Sequence, residues 1–298
     1  MKPSAKAFRK LAKGLKGYSF LDWIHGNVYL RWPYFYIGVA TGEHPLTKVF
    51  APLYNGIMKL RPAYRSKHSA RMMADSYHGK VMPLDDAARL VRVDRPVRVE
   101  DLEQVIPYAQ ARSIVLENPD RIVALECPCR SVRSNPCLPL DVCLVIGEPF
   151  ASFTAEHHPQ KARWISQEEA VQILKAEHER GHVHHAFFKD AMLGRYYAIC
   201  NCCSCCCGAM QAHGHGVPML ASSGYVIELD SSECGVCGDC TNVCPFGALS
   251  LSDAGLTINE AQCMGCGVCV SRCRQGALRL RREPARGEPL LIENLAGL

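Results

Sequence analysis

The sequence predicts an α+β protein in three parts: a basic, aromatic-rich and mainly helical N-terminal segment, a cysteine-rich mixed α/β middle domain, and a C-terminal domain built on a cysteine repeat. Three observations carry this. A set of four cysteines recurs at an offset of 29 residues near the C-terminus, helix-like and strand-like periods alternate through the middle, and the first 80 residues contain no cysteine. With 298 residues, 48% hydrophobic and 21% charged, the chain has the length of two or three globular domains. The same composition excludes collagen-like, coiled-coil and wholly disordered classes.

Residues 1–80 hold 14 Lys plus Arg against 3 Asp plus Glu, whereas residues 81–298 hold 20 against 26, so a basic head precedes an acidic body. The head also carries 13 of the 23 aromatic residues, among them Trp23, Tyr29, Trp32, Tyr34, Phe35 and Tyr36, and reads as a unit of its own. Phe8, Leu11 and Leu15 recur at helical spacing opposite Lys6, Lys10 and Lys13, which predicts a short basic amphipathic helix. Gly42, Pro45, Pro52, Gly56 and Pro62 predict turns after it. The first twenty residues lack an apolar core, a small-residue cleavage site and a twin arginine, and no run is apolar enough to span a bilayer. A cytoplasmic, reducing location is the expectation, and there thiolates bind metals rather than pair as disulfides.

From about residue 81 the pattern becomes mixed. A helix is predicted over 99–116, a buried strand over 121–125 that ends at the first cysteines, and a second strand over Cys143–Ile146. Ser166 with Glu169 three residues later predicts a capping box for a helix that runs to about Arg180, buries Ala170, Ile173 and Leu174, and closes at Gly181. A strand over 183–188 follows. In the C-terminal repeat, Gly247-Ala248-Leu249 maps onto Gly276-Ala277-Leu278 just as the cysteines map. The predicted boundaries are therefore 1–80, 81–223, 224–282 and a tail, 283–298.

Each repeat reads C-x2-C-x2-C-x3-C, and Pro245 follows the first. Three thiolates two residues apart wrap three irons of one cube, while the fourth points away to the cluster of the other repeat. This assigns one 4Fe-4S cluster to Cys234, Cys237, Cys240 and Cys273, and a second to Cys263, Cys266, Cys269 and Cys244. Gly235, Gly238, Gly265 and Gly267 let backbone amides approach the cluster sulfurs. Zinc loops do not usually repeat such a pattern with a swapped fourth ligand. Over about residues 224–282 the chain resembles the bacterial dicluster ferredoxins, departing from them at Arg274, where a second proline would follow Cys273.

Ten cysteines lie upstream: Cys127, Cys129, Cys137 and Cys143, then Cys200, Cys202, Cys203, Cys205, Cys206 and Cys207. Free thiols at that density invite oxidation and exchange, so metal ligation is the expectation for all ten. The first group supplies enough thiolates for one 4Fe-4S centre, and the second supplies more than one cube can use. Over 99–282 the chain is similar to multi-cysteine ferredoxin-like proteins of anaerobes, in which CPCR-type and CNCC-type segments precede a dicluster domain. That resemblance implies one or more additional iron-sulfur clusters upstream. Zinc and a thiol role are the competing readings. His157, His158, His178, His182, His184, His185, His213 and His215 read as surface or capping residues, because no zinc-protease motif accompanies them.

The function expected is single-electron transfer to or from a redox partner protein, with no acid, base or nucleophile required of the chain. Two other classes stay open: an enzyme whose upstream cluster binds substrate, and a redox sensor or cluster-handling protein. No GxGxxG after a strand, Walker loop or serine elbow is present, so a nicotinamide, flavin or nucleotide site has no support. The basic head lacks a nucleic-acid-binding motif, and an anionic membrane surface or an acidic partner suits its Lys-rich helix beside Trp and Tyr.

Overall fold

Short, largely apolar runs in the middle of the chain, buried on both faces, build a seven-stranded sheet. The computed structural model describes residues 1–47, 49, 74–100, 102, 105–107 and 113–296. The strands of this region are β1 (Tyr77–Met82), β2 (Val97–Val99), β3 (Ile114–Leu116), β4 (Ile122–Leu125), β5 (Cys143–Ile146), β6 (Ala162–Ile165), β7 (Val183–Lys189), β8 (Arg195–Cys202) and β9 (Leu220–Ala221). The large sheet runs β6-β4-β5-β8-β7-β1-β9, and all its pairs are antiparallel except β1 with β9. Because side chains alternate along each strand, β5 and β8 send Leu144, Ile146 and Ile199 to one core and Val145, Ala198 and Cys202 to another.

Helices cover both faces. The helices Leu84–Val91 and Gln167–Glu179 bury Ala87, Leu90, Ala170 and Leu174 against the first face. Ser166 Oγ accepts from Glu169 N at 3.2 Å, and Gly181 takes φ 86°, so the second of these helices starts and stops where its caps dictate. On the opposite face lie α1 (Pro3–Gly14), α2 (Phe20–Arg31) and the helix Phe150–His157. Phe8 is fully buried there, edge-on to Phe150 at 5.8 Å and to Phe153 at 6.2 Å. The head thus shares a core with the middle of the chain, and a boundary at residue 80 falls inside β1.

The helix expected over 99–116 is not formed at its two ends. Val97–Val99 and Ile114–Leu116 pair antiparallel as β2 and β3, since their β-branched side chains suit a ladder once both strands are brought together. Pro52, Gly56 and Pro62 lie outside the described residues, as do most of 101–112. The tail packs inward: Leu290 and Ile292 join the core, and the helix Ile292–Ala296 ends the described chain.

The repeat folds as a pseudo-symmetric pair. β10 (Tyr225–Leu229) pairs with β13 (Leu278–Arg282), and β11 (Leu249–Ser252) pairs with β12 (Gly255–Ile258). The helices Asp239–Val243 and Val268–Arg272 lie 29 residues apart, like the cysteines. This unit docks on the helix Gln167–Glu179, where His178 Nε2 meets Ser271 Oγ at 2.7 Å and Arg272 donates to the Glu179 carbonyl at 3.0 Å.

Candidate metal centres

In the C-terminal unit, the short helix after each cysteine loop turns its last cysteine toward the other repeat. One pocket is lined by Cys234, Cys237, Cys240 and Cys273, and the other by Cys244, Cys263, Cys266 and Cys269. Each pocket therefore gathers three cysteines of one repeat and the fourth of the other. The loops close tightly: a Cβ at Gly265 would lie 2.2 Å from the Tyr225 carbonyl oxygen and 2.3 Å from Ser223 Oγ, and φ there is 63°. Burial pushes the Cys266 thiol up to about 12, so holding it as a thiolate requires a cation in the pocket. Four soft sulfur donors in a pocket lined mostly by apolar side chains fit an iron-sulfur cube.

The ten upstream cysteines divide into two sets. Cys137, Cys203, Cys205 and Cys206 form a compact group whose sulfurs all lie within 4.8 Å of one another, with Cys137 3.1 Å from Cys205 and Cys205 3.7 Å from Cys206. Among the described residues no other set of three or more Cys, His, Asp or Glu is drawn together as tightly, the repeat quartets included. Four thiolates at about 2.3 Å from one tetrahedral ion stand about 3.8 Å apart, so this group has the size of a single-ion site. Arg133 pins the loop, donating to the Cys206 carbonyl at 3.0 Å and to Gln211 at 2.7 Å, while Gln211 donates to the Cys205 carbonyl at 2.8 Å. Burial opposes ionisation of Cys205, but hydrogen bonds from Cys137, Cys203 and Cys206 bring its thiol below the ordinary value. One thiolate is thereby favoured in the group before any ion arrives.

The remaining six thiols form a row. Pairing of Leu144 with Ile199 sets Cys143 beside Cys200, their sulfurs 3.9 Å apart, and from there the neighbours run Cys127, Cys129, Cys207 and Cys202. Hydrogen bonding to Cys129, together with burial, pushes the Cys127 thiol up to about 12. The row lines one wall of a cavity of about 440 Å3 between the sheet and the N-terminal helices.

Arg130 ties the two cysteine segments together, a role that residue type alone did not single out. Its guanidinium, 1% exposed, pairs with Glu177 at 2.5 Å and donates to the carbonyls of Pro139 at 2.6 Å and Asn201 at 3.0 Å. Burial opposes ionisation of Glu177, but hydrogen bonding from His182 and the charge of Arg130 hold its carboxyl below the ordinary value. The histidines nearby correct the surface expectation: His178, His182, His184 and His185 are all buried. Strand β7 and the end of the preceding helix carry them into the interior, where His184 pairs with Asn201 at 2.6 Å. Burial lowers the pKa of His184 to about 4, so it stays neutral.

Against known families, residues 233–278 match the 4Fe-4S dicluster domain. None of the curated proteins compared matches the chain. The C-terminal unit is accordingly a dicluster domain, which implies two 4Fe-4S clusters, and the additional four-cysteine group supports a further metal centre. Among the described residues no helix is long and apolar enough to cross a membrane.

Proposed function

We propose that the chain relays single electrons between a redox partner protein and its own centres. Two cubes sit in the C-terminal domain, one on Cys234, Cys237, Cys240 and Cys273 and one on Cys244, Cys263, Cys266 and Cys269, with at least one further centre on the upstream cysteines. The observation that carries this reading is the composition of the two pockets, three cysteines of one repeat plus the fourth of the other. When bound, such clusters supply one-electron chemistry at potentials set by burial and by hydrogen bonds to sulfur. The chain's own residues hold, insulate and tune. Cys266 and Met264 share an apolar core with Cys202, Cys207 and Met210, so protein rather than water joins a repeat pocket to the upstream thiols.

Replacing Cys240 or Cys269 with Ala is expected to abolish the paramagnetic signal of one reduced cube and lower the iron content, while Cys127→Ala keeps both signals. Loss of both cube signals in Cys127→Ala would overturn the division between the domains. Iron near the roughly eight atoms that two cubes supply, with every upstream thiol still titratable, would overturn the upstream centre. A second reading, an enzyme, is favoured by one observation: the thiol row faces a cavity far larger than either repeat pocket, about 440 Å3 against about 10 and 20 Å3.

A further inference from the structure

That cavity holds more than a metal centre requires, and its lining combines two chemistries. One is the row of thiols from Cys200 to Cys202. The other is Tyr29, Tyr36, Tyr77 and Tyr197, contributed by α2, α3 (Pro33–Ala40), β1 and β8, with Lys189 among them. The Lys189 side chain is 4% exposed, and its ammonium lies 4.5 Å from the Tyr77 ring centre, 4.8 Å from that of Tyr29 and 5.3 Å from that of Tyr36. Among the described residues no carboxylate comes within ion-pair distance of it. Burial lowers its pKa to about 8 while the charge of the adjacent Asp190 raises it, and aromatic faces compensate a buried cation only in part, so the ammonium is left without a direct ion-pair partner among the described residues.

Hydrogen-bond donors lie at the same end. Tyr29 and Tyr197 share a hydrogen bond at 2.8 Å, and Tyr36 meets His25 Nε2 at 2.8 Å. Burial raises the pKa of all four phenols, which remain protonated. Burial, followed by the charge of Lys189, lowers the pKa of His25. The other strong cation at the cavity, Arg130, has its charge paired with Glu177 and donates through its terminal nitrogens to backbone carbonyls, leaving only Nε without a partner. One free positive charge in an aromatic chamber matches one negative charge on an apolar body; a phosphate dianion would find a single cation.

We propose that this cavity binds a small, mainly apolar monocarboxylate, its carboxylate against Lys189 and its body directed toward the thiol wall. The site would place an organic acid beside a redox centre, which goes beyond electron relay and does not depend on which ion the thiols hold. Binding is tested by calorimetry on the full chain, anaerobically, with benzoate, cinnamate and hexanoate as probes and the corresponding neutral amides as controls. At least one acid is expected to bind saturably in the millimolar range or tighter, and at least tenfold more tightly than its amide. Lys189→Met is expected to reduce the affinity for that acid to the level of the amide. Equal binding of acid and amide, unchanged affinity in Lys189→Met, or no saturable binding of any of the three acids would each overturn the proposal. Iron content measured on the same samples separates this outcome from failure of the electron-transfer reading.

Discussion

Val236 sits in the first cysteine loop at φ 55°, the left-handed region, while its counterpart 29 residues on is Gly265 at φ 63°. A β-branched residue in that region costs about 1–2 kcal/mol, part of which glycine returns through the entropy of the unfolded chain. Val236→Gly is therefore expected to stabilise the protein by about 0.5–1 kcal/mol, read as a rise of a few degrees in the unfolding midpoint. A fall in the midpoint would show that the valine, which is 49% exposed, makes a compensating contact. Gly265→Ala is expected to do the opposite and to release iron, because its methyl would meet backbone at 2.2 Å. In the compact upstream group, Cys205→Ser is expected to remove about one metal ion per chain without altering either cube signal, by elemental analysis and paramagnetic resonance. Unchanged metal content would exclude Cys205 as a ligand.

Strand β1, next to the short edge strand β9, places a lysine inside the fold. Lys80 is 1% exposed, and its ammonium donates to the Glu288 carbonyl at 2.7 Å, which holds the tail against the sheet. Burial, then repulsion from Arg282, lowers its pKa from 10.5 to about 7. The folded state thus binds fewer protons than the unfolded chain between about pH 7 and 10.5, so the contribution of Lys80 to stability rises with pH across that window. Below about pH 7 both states are protonated and the cost of burying the charge is fully present. Lys80→Met is accordingly expected to unfold at a higher temperature than the parent at neutral pH, with the gap narrowing toward pH 10. A gap independent of pH would mean that the amine keeps its charge throughout. The same reliance on strand register explains the thiol row, since Cys143 and Cys200 meet only because β5 pairs with β8.

At the scale of the molecule, the charge division and the packing of the head act together. Phe8 is spent on the internal core and cannot serve as a membrane-facing stripe. Another apolar set is outward: Phe20 at 66% exposure, Leu21 at 74% and Trp32 at 55%, on the segment that carries the basic excess. We propose docking of this face to an anionic leaflet, where each basic residue near the surface contributes about 1 kcal/mol. The full chain is expected to float with anionic liposomes at low salt and to be released at about 1 M salt, where the Debye length is about 3 Å. Phe20→Asp combined with Leu21→Asp should abolish flotation. Equal flotation with uncharged liposomes, or no effect of the double substitution, would refute the docking. Substitution is the right probe because truncation near Val81 would cut β1.

The sequence by itself determined the dicluster domain, the strands expected at 121–125, 143–146 and 183–188 to within a residue, the capped helix before Gly181 and the basic amphipathic helix, except that the helix ends at Gly14 and leaves Leu15 exposed. These are local: ligand spacing, caps and short periods act within a few residues, so one segment suffices to reveal them. Only the tertiary structure decided that ten upstream cysteines separate into a compact group of four and a row of six, and that Arg130, Glu177 and Asn201 brace them. It also decided that histidines read as surface residues are buried, and that Lys189 stands among tyrosines from three other elements. A lysine closing the apolar strand Val183–Lys189 was the one local sign of that site. The physical reason is sequence distance: Cys137 and Cys205, or Tyr29 and Lys189, lie far apart in the chain and meet only through strand register and helix packing, which no local pattern encodes.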